Sequence, residues 1–151
     1  MAQIANPRKQ FNFSIFCPGL NPFLAQKVTT PDIEIEEVTH GDTNHDIKTG
    51  GRLKVGSLNV DKISPATASD SWVFDWMNTI QNALLGGGAL PSIYKRQITI
   101  EEYSTDGITV LNTHDYEGAW PKKRNGIELS RTQSENTLQS IEFAVDIPII
   151  K

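Results

Sequence analysis

His40-Gly41-Asp42-Thr43-Asn44-His45-Asp46 is the one stretch that gathers imidazole and carboxylate groups. Two histidines and two aspartates form a donor set that zinc or a similar metal accepts. The i, i+5 histidine spacing lies in a glycine-bearing segment, with no further histidine nearby to complete a fixed geometry. A solvated polar loop is the simpler reading, and no metal or cofactor is expected. His114-Asp115 supplies two members of a nucleophilic triad, but no G-x-S-x-G elbow accompanies it. Neighbours on a strand also point to opposite faces. The same geometry separates the adjacent pairs Glu36-Glu37 and Glu101-Glu102, so neither can work as acid and base on one bond. Gly86-Gly87-Gly88 lacks the Lys-Ser/Thr of a phosphate loop and follows the helical pattern instead of opening it. Lys122-Lys123-Arg124 could touch phosphate, and a solvated turn or a subunit contact explains it equally well. No constellation supports an enzyme.

The elements that would position these residues read mainly as strands. Phe11, Phe13 and Ile15 alternate with Asn12, Ser14 and Phe16, the period-two pattern of a half-buried strand. Phe23–Val28 is a weaker second strand. Ile33 and Ile35 share one face of the next, with Asp32, Glu34 and Glu36 on the other, and Glu37 breaks the phase, which predicts a bulge. His40–Gly51 reads as a long loop or the tip of a projecting hairpin. Leu53, Val55, Leu58 and Val60 resume the strand pattern, with Gly56 marking a change of phase. One helix is predicted over about 69–85: Trp72, Trp76, Ile80 and Leu84 recur at i, i+4, i+8 and i+12. Ser69 or Asp70 would cap it, and the three glycines would end it. Trp72, Trp76 and Ile80 are its core face. Further strands are expected at Gln97–Tyr103, at Ile108–Asp115 after the Asp106-Gly107 turn, at Ile127–Arg131 and at Thr137–Ile147. In the last, Ile141, Phe143, Val145 and Ile147 face one way. The expected fold is mainly β: a sandwich or small barrel with one flanking helix, a single domain over 1–151.

Composition narrows the function classes. The chain is 151 residues long, 38% hydrophobic and 21% charged, in the range of one globular domain. No apolar run reaches the ~20 residues of a membrane span, and no apolar core follows Arg8-Lys9 to make a signal peptide. Cys17 is the only cysteine. It reads as a small, semi-buried residue at a strand end, which fits a reducing compartment. Net charge is −4, against a basic nucleic-acid footprint. The charges are segregated. Asp32, Glu34, Glu36, Glu37, Asp42 and Asp46 are uninterrupted by Lys or Arg, while bases gather at 48–54, 95–96 and 122–124. Separated acidic and basic surfaces favour stacking on copies of the same chain.

Tyr116-Glu-Gly-Ala-Trp-Pro121, Gly126-Ile-Glu-Leu-Ser130 and Glu135-Asn136 to Phe143 resemble the C-terminal signature of tail tube proteins of contractile, T4-like phages. These in turn are related to type VI secretion tubes. The order of the earlier elements agrees over nearly the whole chain. Pro148 departs from the pattern, since it should interrupt pairing in the final strand.

The resemblance implies hexameric rings stacked into a tube, with one sheet of each subunit joined into a shared inner β-barrel that removes exposed edges. The implied partners are further copies of the chain, a sheath, a tape-measure protein, a tail terminator and a baseplate, with double-stranded DNA passing through unbound. The implied location is the virion tail, assembled in the host cytoplasm. Under this reading Glu34, Glu36, Glu101, Glu142 and Asp146 are candidates to line the lumen and repel phosphate, or else to face neighbouring subunits or the sheath. His40, Asp42, His45, Asp46, Lys48, Arg52, Lys54, Lys122, Lys123 and Arg124 are candidates for the contact between rings. A type VI or bacteriocin tube without DNA cargo, or a ligand-binding β-sandwich with a pocket at Trp120, are the alternatives.

Overall fold

A computed structural model describes residues 11–41, 44–66, 69–82, 84–132 and 134–151. Among the described residues nine strands and two α-helices follow one another: β1 (Phe13–Phe16), β2 (Ala25–Thr29), β3 (Ile33–Gly41), β4 (Asp46–Val55), β5 (Leu58–Ile63), α1 (Trp72–Ile80), α2 (Pro91–Tyr94), β6 (Arg96–Tyr103), β7 (Val110–Arg124), β8 (Leu138–Ala144) and β9 (Ile147–Ile150). All pairings are antiparallel.

Two sheets share one long strand. The front sheet runs β1-β6-β7-β9 and the back sheet runs β7-β8-β5-β2. The first half of β7 pairs with β6 and β9, and its second half, from Trp120, pairs with β8. The strand turns from one sheet to the other near Gly118, whose φ of 68° suits a residue without Cβ. A Cβ there would also strike the Asp146 side chain, 2.8 Å from its Cγ. The Asp146 carboxylate is held by Lys95 Nζ at 2.5 Å, and its backbone N–H donates to Glu117 O at 3.1 Å.

Alternation decides which residues enter the core. Ile98 and Ile100 of β6, Tyr116 and Ala119 of β7, Leu58 and Val60 of β5, and Ile141 and Phe143 of β8 are buried in one cluster with Ile15. Helix α1 closes the cluster with Val73 and Trp76, while Trp72 and Ile80 are half-buried against it. The Trp76 indole N–H donates to Tyr94 O at 2.7 Å, which satisfies the polar end of a buried ring. Its ring lies 5.8 Å from Phe143, under the Arg96 guanidinium at 4.5 Å.

The helix is shorter than its sequence pattern. It ends at Ile80, with Gln81 already extended, so the glycine triplet belongs to the following loop and Leu84 is 92% exposed. Asp70 does not cap α1, because its carboxylate takes the buried Lys62 ammonium and the Ser64 hydroxyl at 3.0 Å. The expected strand at 127–131 is absent; β7 instead continues through Trp120-Pro121 to Arg124 and pairs with β8. Phe23 stands in a 3-10 turn ahead of β2. A second short helix, α2, was not legible. Among the described residues the sandwich is open: β1 pairs only with β6, and β2 only with β5.

The hairpin β3–β4 stands apart from both sheets. Residues 46–51 are strand, not loop, so of the two readings of His40–Gly51 the hairpin is the observed one. The register slips between Ile35 and Glu37, at the place where the paired glutamates predict a bulge.

Candidate assembly surfaces

The acidic candidates do not share a surface. Glu34 and Glu36 stand on the free hairpin, Glu101 on the outer face of the front sheet, and Glu142 on the outer face of the back sheet. Asp146 sits at the corner where β7 changes sheets. Two sheets packed core to core turn their outer faces in opposite directions, so Glu101 and Glu142 cannot line one channel wall within a subunit.

The front sheet carries the more uniform face. Its cross-strand rows read Ser14-Glu101-Thr113 and Phe16-Thr99-Asp115-Ile149, followed by Glu117-Ile147. The Tyr103 hydroxyl donates to Glu101 Oε2 at 2.8 Å, and Thr99 Oγ1 donates to Asp115 Oδ1 at 2.9 Å. The bond to Glu101 raises the Tyr103 phenol. These bonds orient the carboxylates along the sheet without neutralising them, because hydroxyl donors carry no charge. The terminal Lys151, opposite Thr113, is the one basic residue in these rows. Asp115 and Glu117 were missed by sequence reasoning, which ended their strand at Asp115. The alternation continuing through Tyr116 was the signal that could have found them.

The back sheet is mixed in charge. Its rows read Lys27-Asp61-Ser140 and Thr29-Asn59-Glu142-Lys123. Glu142 is taken by Lys122 at 3.4 Å, and Asp61 accepts from Ser140 Oγ at 2.5 Å.

Of the expected ring-to-ring residues, His40, Asp46, Lys48, Arg52 and Lys54 lie exposed on the hairpin, and His45 lies at its turn. Asp42 falls outside the described residues. Lys48 pairs with Glu37 at 3.3 Å, and Lys54 approaches Glu36 at 4.0 Å, so these cations are partly answered within their own hairpin. Lys122, Lys123 and Arg124 end β7, far in sequence from that cluster.

No chemistry assembles elsewhere among the described residues. They hold no group of three His, Cys, Asp or Glu side chains placed to bind a metal. His114 points into the sandwich, 2.7 Å from Glu102 Oε1, while Asp115 points out. Glu101 and Glu102 diverge in the same way. Burial pushes the Cys17 thiol up to about 12, against a smaller lowering by Arg96, which leaves a thiol, not a nucleophilic thiolate. The Trp120 ring meets Tyr94 edge-on at 6.1 Å and packs against the core. No described helix is long and apolar enough to cross a membrane.

Solved structures share this architecture. One chain of a cap that terminates the anti-feeding prophage tube is 19% identical, with a TM-score of 0.80 over 100% of this chain and 95% of that one. A chain of the sheath/tube terminator of an extracellular contractile injection system, PVC, is 21% identical, with a TM-score of 0.79 over 99% of each chain. A chain of the PVC sheath-tube complex, in the extended state, is 20% identical, with a TM-score of 0.72 over 96% and 91%. No curated protein matches the sequence. At these identities the likeness concerns the fold. The sequence itself carries the family: residues 9–147 match the T4-like virus tail tube protein gp19 family, and the chain belongs to it.

Proposed function

We propose that copies of this chain close into six-membered rings and that the rings stack into a tube whose lumen is lined by the outer face of the front sheet. The observation that carries this reading is the outer face of the front sheet, where Glu101, Asp115 and Glu117 stand in three successive rows beside the hydroxyls of Ser14, Thr99 and Thr113. A channel for double-stranded DNA must pass phosphate without holding it. Carboxylates do so because they offer phosphate no cation and no counterion release, the opposite of a basic groove. The mixed back sheet and the helical flank would then face neighbouring subunits and a surrounding sheath. A tape-measure protein would fill the lumen before DNA does, and a terminator and baseplate would close the ends, in a virion tail assembled in the host cytoplasm.

Electron microscopy of the purified, concentrated protein tests the class. Rings or tubes with a central hole are expected, and a reconstruction with a basic lumen, or with the back sheet innermost, would sink the assignment of faces.

A further inference from the structure

Strand β7 ends at Arg124, and the chain leaves the back sheet in the next two residues. Asn125 makes the last rung, its backbone N–H donating to Ser140 O at 3.0 Å. Gly126 makes none. Among the described residues its N–H meets no acceptor, both residues are exposed, and a Cβ built on Gly126 would touch nothing within 4 Å. A side-chain amide held at the end of a sheet thus stands directly ahead of an unbonded, unshielded backbone nitrogen. Asn125 is the only asparagine in the chain that a glycine follows.

We propose that Asn125-Gly126 is a self-modifying site, at which the folded subunit slowly converts its asparagine to aspartate and isoaspartate. The Gly126 nitrogen attacks Asn125 Cγ. The new N–Cγ bond closes a five-membered imide and the Cγ–Nδ2 bond breaks. The side-chain nitrogen leaves as ammonia, carrying the proton of the Gly126 N–H. Water then adds to either imide carbonyl and reopens the ring. One route leaves an aspartate side chain, and the other runs the main chain through Cβ and Cγ as isoaspartate. In total one water enters and one ammonia leaves. Glycine permits the attack because no Cβ shields its nitrogen and its backbone turns freely.

The turn at Asp106-Gly107 has the same spacing and shows what protection looks like. There the Gly107 N–H donates to Ser104 O at 2.9 Å, and the Asp106 carboxylate is tied to the N–H groups of Ile108 and Thr109. Neither the nitrogen nor the carboxyl is available to the other. At Asn125 the consequence falls on the basic end of β7. By alternation Asn125 shares the outer face with Lys123, and Arg124 stands between them. The new carboxyl is ionised at neutral pH and adds one negative charge to the chain's −4. In the stacked-ring reading, on which this consequence alone rests, Lys122, Lys123 and Arg124 belong to the contact between rings, and the added charge weakens it.

Folded wild type and Gly126→Ala are incubated at mildly alkaline pH and mapped by peptide mass, with isomeric peptides separated by chromatography. The wild-type peptide holding Asn125 should gain about 1 Da, the difference between an amide and a carboxyl, and split into two isomers. Gly126→Ala should melt like wild type, since its Cβ meets nothing, and should react at least about tenfold more slowly. If the peptide changes only after denaturation or not at all, if Gly126→Ala reacts as fast, or if another asparagine reacts first, the site is overturned. Asn125→Asp reads the consequence. It should form fewer tubes than wild type, by a margin that shrinks as salt is raised. Tubes as abundant as wild type overturn the effect on stacking and leave the modification standing. Wild type without rings or tubes ends the stacked-ring reading and that effect with it, while the mass map still decides the modification.

Discussion

Single residues set the stability of the subunit. Trp76 is 2% exposed and anchors α1 to both sheets. Trp76→Ala should cost about 3–5 kcal/mol, the range for deleting a buried large aromatic. Trp72→Ala should cost less, because that ring is only half-buried. Denaturant titration of both variants checks the order. Lys62 is buried at 0% exposure against Asp70. Asp70→Ala should cost about 3–5 kcal/mol, since it leaves an ammonium buried without its carboxylate. Lys62→Met with Asp70→Ala should recover most of that loss. Two buried acids shape the alkaline limit. Burial pushes Cys17 up from 9.0 to about 12, and burial with the nearby Glu102 charge pushes Tyr116 up from 10.0 to about 12. Folding favours the protonated form of each. The stability they contribute is complete below about pH 9 and is lost as pH rises toward 12. Denaturation midpoints measured between pH 8 and 11.5 should fall accordingly, and Cys17 should resist alkylation at pH 8 until the chain unfolds.

At the scale of elements, the shared strand β7 is the pivot of the fold. Gly118→Ala combines a positive φ of 68° with a clash against Asp146, so a loss of at least ~1–2 kcal/mol is expected, seen as a lowered melting temperature. The Asp106-Gly107 turn was legible because its chemistry is local. Asp106 accepts the backbone N–H groups of Thr109 and Ile108 at 2.9 Å each and the Thr109 hydroxyl at 2.7 Å. These bonds, Thr109 N–H first, hold its carboxyl below the usual range. Gly107 follows at φ 74°. Pro148 lies within paired β9 and does not stop it. Lys151 and Thr113 exchange both backbone bonds, at 2.9 and 3.0 Å, so by alternation residue 148 turns its nitrogen away from β7. The missing donor therefore faces the free edge, which it blunts. Pro148→Val should rearm that edge and raise light scattering at equal concentration.

For the whole molecule, the outer faces decide behaviour in assembly. Replacing Glu101, Asp115 and Glu117 together by Lys should leave the subunit folded, because none packs in the core. If the front sheet lines the lumen, tubes of this variant should retain DNA in a salt-dependent way, while wild-type tubes should not. A gel-shift series across salt concentrations reads the difference. Charge segregation along the chain pointed toward self-association, but it did not identify surfaces. Residues adjacent in sequence, such as Glu36 and Glu37, occupy opposite faces, and each pairs with a lysine from across the hairpin.

The sequence by itself determined the strands that alternate, the Trp-bearing helix, the turn at Asp106-Gly107, a pairing irregularity at the height of Glu37 and the family, because each is written in local spacing. It also placed His114 and Asp115, and Glu101 and Glu102, on opposite faces, since strand geometry alone separates neighbours. Only the tertiary structure decided that β7 serves two sheets, that α1 stops at Ile80, and that Asp70 leaves the helix end to meet Lys62. It alone put Glu101 and Glu142 on opposite faces, and the slip beside Glu37 adds its residue to β4, between Gly50 and Leu53, not to β3. Each of these depends on partners far away in sequence: a strand's register, a buried charge's counterion and a sheet's outward face are fixed by what packs on the other side.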